Sequence, residues 1–310
     1  MPKKTSLTQK ISNSIAAIST ATKLVGKNIR KQTIKKPAVK KKSKSKISLI
    51  SSAKKLINNP ILQAIGQKLI EINTQNELTI YTHNICWTQS KVQHIRIAEK
   101  IESLQPDIVC LQEVVFQSQS EIFSLPRYHK SVAHSESNTI VKGGLVIYSK
   151  KNPLCVNFIK FEQQGKIFSP QLAERQLEKG FLVVEFEDYL VINIHLVADH
   201  SKKWLENKLK SNSNQIEEFI NYIQNMNFTK PIIICGDLNF TPLNNSYKKL
   251  LAVLDLTDFT IKLPYTFIEK KVKLDYIITN QPISSYKTRT IRFTHQEPSD
   301  HLAVYSQIVY

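Results

Sequence analysis

Acidic residues are almost missing from the first 76 positions. That stretch holds 17 Lys/Arg against a single acid, Glu71, a net of +16 within a chain whose formal total is +18. Residues 77–310 therefore carry only about +2, with 26 basic and 24 acidic side chains, and have the balance of a globular domain. Long apolar runs are also lacking. None reaches the roughly 20 residues that span a bilayer. The interval 11–26 is broken by Asn13, Lys23 and several hydroxyl residues, which denies it the apolar core of a secretory signal. Cysteine is scarce, with four residues, and none of them stands in a CxxC or Cys/His metal spacing. Cys86, Cys110, Cys155 and Cys235 each lie in or beside an apolar strand-like run, so buried free thiols are expected. That pattern favours a reducing, intracellular compartment over secretion.

What the basic stretch does contain is two patterns. Residues 35–46, KKPAVKKKSKSK, are a like-charged Ser/Lys block and are expected to be disordered. Before them Ile11, Ile15, Ile18, Val25 and Ile29 follow alternating spacings of four and three, the stripe of an amphipathic basic helix broken only at Thr22. A further helix is expected to start at Asn59-Pro60, with Ile61, Ile65 and Leu69 on its apolar face. Such a tail suits an anionic membrane surface, nucleic acid, or a nuclear or mitochondrial address; a solubilising linker is the plainer alternative. The division expected is a basic tail over 1–76 and a globular domain over 77–310.

Within the domain the most informative stretch is 231–242, PIIICGDLNFTP. Four apolar residues, mostly β-branched, predict a strand buried on both faces. Asp237 and Asn239 follow at alternate positions, so an extended backbone would point both to one side. An Asx-rich turn gives the same letters. Alternation and apolar spacing predict strands near 77–86, 108–111, 128–134, 143–150, 156–161, 181–186, 189–197, 273–279, 288–293 and 302–310. Helices are predicted over 90–104, 204–226 and 246–254. Strands outnumber helices, and the order implies an α/β (α+β) four-layer sandwich: two mostly antiparallel mixed β-sheets flanked by helices.

Six predicted strand ends carry a polar group: Asn84, Glu113, His195, Asp237 with Asn239, Asp275, and Asp300-His301. Turns would also draw on Gly, Pro and Ser, so a set made only of Asn, Glu, Asp and His points to a site. The order and wording of THN (82–84), PDIVCLQEV (106–114), GGLVIYSK (143–150), NIHL (193–196), GDLN (236–239), LDY (274–276) and SDH (299–301) resemble the endonuclease/exonuclease/phosphatase superfamily. The resemblance covers residues 77–310 and none of the tail. It implies the deoxyribonuclease I-like fold, a monomer, and hydrolysis of a phosphodiester with magnesium, manganese being able to substitute.

Carried over position by position, the resemblance makes Glu113 the main metal carboxylate, with Asn84 and Asp300 beside the ion. His301 becomes the catalytic histidine and Asp275 the carboxylate that orients it. Asp237 would position or deprotonate water, while Asn239 and His195 would bind the phosphate or leaving group. Magnesium's taste for oxygen ligands and retained waters suits so few carboxylates. One position departs from the pattern: several family nucleases have an aspartate where this chain has Cys86, which leaves Glu113 more solitary.

NIHL disfavours the abasic-site endonucleases, and Tyr276 after Asp275 disfavours the inositol polyphosphate phosphatases. The wording at 178–186, 194–198 and 235–251 is most similar to neutral sphingomyelinases and related phosphodiesterases, which leans the reading towards a phospholipid or sphingomyelin-type substrate. A DNA or RNA nuclease is the alternative. A non-catalytic module that keeps the fold is a remote one, since Glu113, Asp237, Asn239, Asp275 and His301 are all present.

Overall fold

The computed structural model describes residues 77–135, 138–164, 178–198, 210–226 and 228–310. The expected amphipathic helix over 11–29, the block over 35–46, the helix from Asn59-Pro60 and the first part of the helix over 204–226 lie outside these residues.

In chain order the described elements are β1 (Glu77–Asn84), α1 (Lys91–Leu104), β2 (Ile108–Gln112), α2 (Gln117–Ile122), β3 (His129–His134), β4 (Val141–Ser149), β5 (Cys155–Lys160) and β6 (Gly180–Glu185). Then come β7 (Leu190–His195), α3 (Lys210–Met226), β8 (Ile232–Asp237), α4 (Asn245–Val253), β9 (Thr257–Asp258), β10 (Asp275–Thr279), β11 (Ser285–Ile291) and β12 (Ala303–Val309). Among the described residues these strands make two six-stranded sheets, ordered β11-β12-β1-β2-β4-β3 and β5-β6-β7-β8-β10-β9. Only β1/β2 and β7/β8 pair in parallel; the other pairings are antiparallel.

Alternation explains the layers. Ile80, Ile108, Cys110 and Ile147 from one sheet meet Val191, Ile233, Cys235 and Ile277 from the other. The opposite face of the first sheet, with Val109 and Leu111, packs on Ile97 and Ile101 of α1 and on Phe123. The opposite face of the second, with Ile192, Ile194 and Ile234, packs on Ile216 and Phe219 of α3 and Leu250 of α4. Helix–sheet–sheet–helix is the four-layer order expected from the sequence. Ser90 caps α1 by accepting from the Gln93 N–H, and Gln105 turns left-handed (φ 49°) to end it before Pro106.

Some expectations needed correction. The cysteines are not uniformly buried: Cys110 and Cys235 are, Cys86 is half-buried and Cys155 is exposed. Cys155 opens β5, an edge strand whose first residues face solvent on both sides. The strand expected over 288–293 begins at Ser285 and ends at Ile291, and α2 and β9 were not anticipated. Both are too short to carry a period.

The parallel β1/β2 pair is clamped at its start. Asp107 Oδ2 accepts from the Thr79 N–H (2.9 Å) and hydroxyl (2.6 Å), while the Asp107 N–H donates to the Thr79 carbonyl. Burial pushes the Asp107 carboxyl up, but the Thr79 hydrogen bonds and Lys150 outweigh it, and the net displacement is downward. A carboxylate held below its ordinary value stabilises the fold above about pH 4 and loses that contribution as pH falls through its folded value. Asp107→Ala is therefore expected to cost about 1 kcal/mol at pH 7, the exposed Lys150 pair adding little. The gap from wild type should narrow at pH 3, as read by urea unfolding at both pH values.

Candidate active site

The alternation that fills the space between the sheets also sets what stands at its end. On β1, Leu78 and Ile80 face the other sheet, and so in turn do Thr82 and Asn84. On β8 the same series is Ile233, Cys235, Asp237; on β10 it is Ile277 and Asp275; on β7 it is Val191, Asn193, His195. An apolar core thus gives way to amides and then to acids and histidines. Register aligns the top row: His195 is opposite Asp237 across β7/β8, and Asp275 is opposite Asp237 across β10/β8. Gly236 is needed for this. Its φ is 138°, and a Cβ there would stand 2.0 Å from the Ile194 carbonyl oxygen.

Beneath the row, Gln112 Nε2 donates to Asn193 Oδ1 across the sheets (2.7 Å), and Asn193 Nδ2 donates to the Leu111 and Val146 carbonyls (2.8 and 3.0 Å). Both amides are fully buried.

Glu113 follows β2 in the left-handed region (φ 61°) with Gly144 against its Cα. Its Oε1 accepts from Asn84 Nδ2 at 3.0 Å and its Oε2 from the Trp87 N–H at 3.2 Å. The same Asn84 nitrogen donates to Asp237 Oδ2 at 3.1 Å, and Asn84 Oδ1 accepts from the Cys86 N–H. One amide therefore ties the Glu113 and Asp237 carboxylates together. Asp300 is exposed, with Ser299 Oγ 3.3 Å from its Oδ1. Burial raises the Cys86 thiol against a hydrogen bond with Thr88 that lowers it, and the Asp300 and Glu113 charges add to the rise.

His301 and Asp275 are joined by a 2.8 Å hydrogen bond from Nδ1 to Oδ2. His301 Nε2 and His195 Nε2 each lie 3.7 Å from Asp237 Oδ2. Burial opposes charge on His301, but Asp275 and Asp237 overcome it and lift its value to about 10. Burial lifts Asp237 to about 7, with His301 pulling the other way. His195 is pushed well down by burial and by its cationic neighbours Lys179 and His301. At neutral pH one histidine is cationic and the other neutral. Asn239, left-handed at φ 50°, donates its N–H to Asp237 Oδ1 (2.9 Å) and one amide hydrogen to the Leu196 carbonyl (3.0 Å), leaving its second amide hydrogen without a partner among the described residues.

Two groups could hold a cation. Asp237, Asp275 and His301 place ligand atoms within 4.8 Å of one another. Imidazolium already supplies the positive charge there, so a metal would have to displace a proton. Glu113 fits better: it is a half-buried carboxylate with no ion-pair partner among the described residues, tied through Asn84 to the Asp237 carboxylate, and carboxylate oxygens are what hard divalent ions prefer.

All eight residues expected from the sequence lie at this end of the sandwich, Asp300 at its surface. Several contributors were not anticipated. Lys179 is buried with Nζ 3.2 Å from His195 Nδ1; its only signal was a lysine beside a strand-opening glycine. Gln112, Asn193, His83 and Ser299, whose Oγ donates to the Asn84 carbonyl at 2.6 Å, lie inside the quoted motifs, which gave them no role of their own.

The model of the Endonuclease/Exonuclease/phosphatase family matches residues 81–301. An exodeoxyribonuclease of Bacillus subtilis (strain 168) is 28% identical over 135 residues, covering 43% of this chain and 47% of that protein. The chain spans less than half the length of the curated relatives it matches. The SmcL crystal structure superposes with a TM-score of 0.61 at 20% identity, over 76% of this chain and 99% of that one. A double mutant of Staphylococcus aureus beta toxin, solved with bound magnesium ions, gives 0.55 at 18%, over 74% and 99%. These likenesses are likenesses of fold.

The charge assignment has a direct test. By ring-nitrogen NMR, His301 should keep its second proton past pH 8 and lose it as pH rises through about 10, with His195 neutral throughout. Since the folded value lies above the ordinary histidine value near 6.5, the stabilisation is complete below that pH and lost through about 10. Asp275→Asn should bring the His301 value down and flatten the alkaline loss of stability.

Proposed function

This chain belongs to the endonuclease/exonuclease/phosphatase family, and on that premise we propose that it is a divalent-metal-dependent hydrolase of phosphodiesters. The observation that carries the proposal is the convergence of Glu113, Asn84, Asp237, Asp275, His301 and His195 within one network at the end of the inter-sheet core. Glu113 would hold the ion, with Asn84 fixing the carboxylate and Asp300 near it; magnesium is the ion proposed. When bound, such an ion neutralises phosphate charge and stabilises the leaving oxygen.

The chain's own groups divide the remaining work. Asp237, lifted to about 7, accepts a proton from the water whose oxygen bonds to phosphorus as the phosphorus–oxygen bond to the leaving group breaks. His301, cationic and held by Asp275, presents Nε2–H to the charge that builds on the phosphoryl oxygens. Neutral His195 and the free amide hydrogen of Asn239 bind the same oxygens without adding a second cation.

For the substrate, the first reading is a phospholipid phosphodiester of the sphingomyelin type. The motif wording favours it, as does a near-neutral domain that lacks the basic excess needed to grip DNA unaided. Trp87 and Phe116 add an aromatic edge beside the Glu113 loop, with Phe116 40% exposed. The second reading, a nuclease, is favoured by the names of the curated relatives, an exodeoxyribonuclease and an abasic-site DNA endonuclease among them.

Sphingomyelin in anionic vesicles and plasmid DNA should be offered side by side with magnesium. Phosphocholine release with intact plasmid is expected; nicked plasmid with untouched lipid would establish the second reading instead. Glu113→Ala and His301→Ala should each lower turnover by at least about a thousandfold in folded protein, and unchanged turnover in both would overturn the site. The +16 of residues 1–76 is proposed to draw the enzyme to an anionic surface. Deleting them should spare turnover of a small soluble phosphodiester and weaken vesicle hydrolysis more at low salt than at high salt.

A further inference from the structure

His83 lies one position before Asn84 on β1 and points away from the inter-sheet space, so it is not among the groups that face a substrate. It is fully buried. Tyr81, two residues earlier on the same face, places its hydroxyl 2.9 Å from His83 Nδ1. The carbonyl oxygen of His301 lies 3.1 Å from His83 Nε2 and can only accept, so Nε2 carries a proton. In the neutral ring Nδ1 is then the acceptor, and the Tyr81 hydroxyl donates to it. Phe293 covers the ring in a stacked arrangement at 6.3 Å, and Tyr81 meets it edge-on at 5.8 Å. Ring tautomer and ring position are both fixed.

The other side of the His301 backbone is fixed as well. Its N–H donates to Ser299 Oγ at 3.1 Å, and that hydroxyl donates to the Asn84 carbonyl at 2.6 Å. Two consecutive residues of β1 thus hold His301, one through its N–H by way of Ser299, the other through its C=O. A loop residue acquires the placement of a strand residue. The consequence reaches the side chain, because Nδ1 must stay 2.8 Å from Asp275 Oδ2 for Nε2 to sit 3.7 Å from Asp237 Oδ2.

We infer that His83 is a positioning residue for His301: its Nε2–H, directed by the Tyr81 hydroxyl, fixes the His301 carbonyl and so the register of the imidazole between Asp275 and Asp237. A buried packing residue would need only the shape of the ring. A positioning residue needs the donor.

The test uses the full chain labelled with nitrogen-15 histidine, and three variants. His83→Phe keeps an aromatic ring and removes the donor; His83→Gln keeps a donor; Tyr81→Phe removes the group that sets the tautomer. In folded His83→Phe the His301 ring resonances are expected to shift or broaden. With magnesium and bis(para-nitrophenyl) phosphate, kcat should fall about 10- to 100-fold while KM stays within about twofold. His83→Gln should restore kcat to within about threefold of wild type, and Tyr81→Phe should lose less than His83→Phe.

Wild-type His301 resonances and wild-type kcat in folded His83→Phe would overturn the inference, as would His83→Gln damaged as severely as His83→Phe. If His83→Phe does not fold, folded His83→Gln decides: retained His301 resonances support the role, and their loss overturns it. The inference takes its kinetic arm from the proposed hydrolase reading, whereas the resonance arm needs no turnover. An inactive wild type would sink that reading and still leave the role of His83 decided.

Discussion

Two carboxylates from different sheets, Glu113 and Asp237, are drawn to the same nitrogen of Asn84. Like charges at that separation repel unless a donor stands between them, and the cost grows as water is excluded. Asn84 supplies the donor without adding charge. Its own position is set by strand register, because β1 pairs in parallel with β2, and Asn84 stands opposite Gln112, the residue before Glu113. The site therefore inherits its geometry from backbone hydrogen bonds laid down well below it.

The surrounding charges are organised around one cation. Imidazolium at His301 stands between Asp275 and Asp237, and that single charge makes two buried acids tolerable. Asp275 depends on it closely, since its Oδ1 is buried with no hydrogen-bond partner among the described residues. His195 is kept uncharged first by burial and then by its neighbours Lys179 and His301. Two histidines of one type thus hold opposite protonation states within one site, each because of its neighbours.

Much of this was legible in the sequence, for a specific reason. A period of two that runs Ile233, Cys235, Asp237 or Val191, Asn193, His195 tells both which face is core and which polar groups share it. What the period does not report is depth across the other sheet. Gln112 and Asn193 look like ordinary strand residues until β2 and β7 are seen face to face. Lys179 acts through a strand neighbour sixteen positions later, a pairing set by register, not by spacing. Cys155 misled because an apolar neighbourhood reads the same on an edge strand as on a central one. α2 and β9 are shorter than any period that would betray them.

The Gln112–Asn193 pair gives the sandwich a property that an apolar core would not have. Leu and Ile side chains are nearly indifferent to small lateral shifts, whereas an amide-to-amide bond of 2.7 Å is directional and allows little sliding. The pair acts as a key between two plates. It is also under-satisfied: Gln112 Oε1 is buried without a partner, a deficit on the order of 1–3 kcal/mol. Apolar replacements at these two positions would remove that deficit but would also take the Asn193 donor from the Leu111 and Val146 carbonyls. What such a pair of replacements would leave is a sandwich whose two halves no longer share a fixed frame.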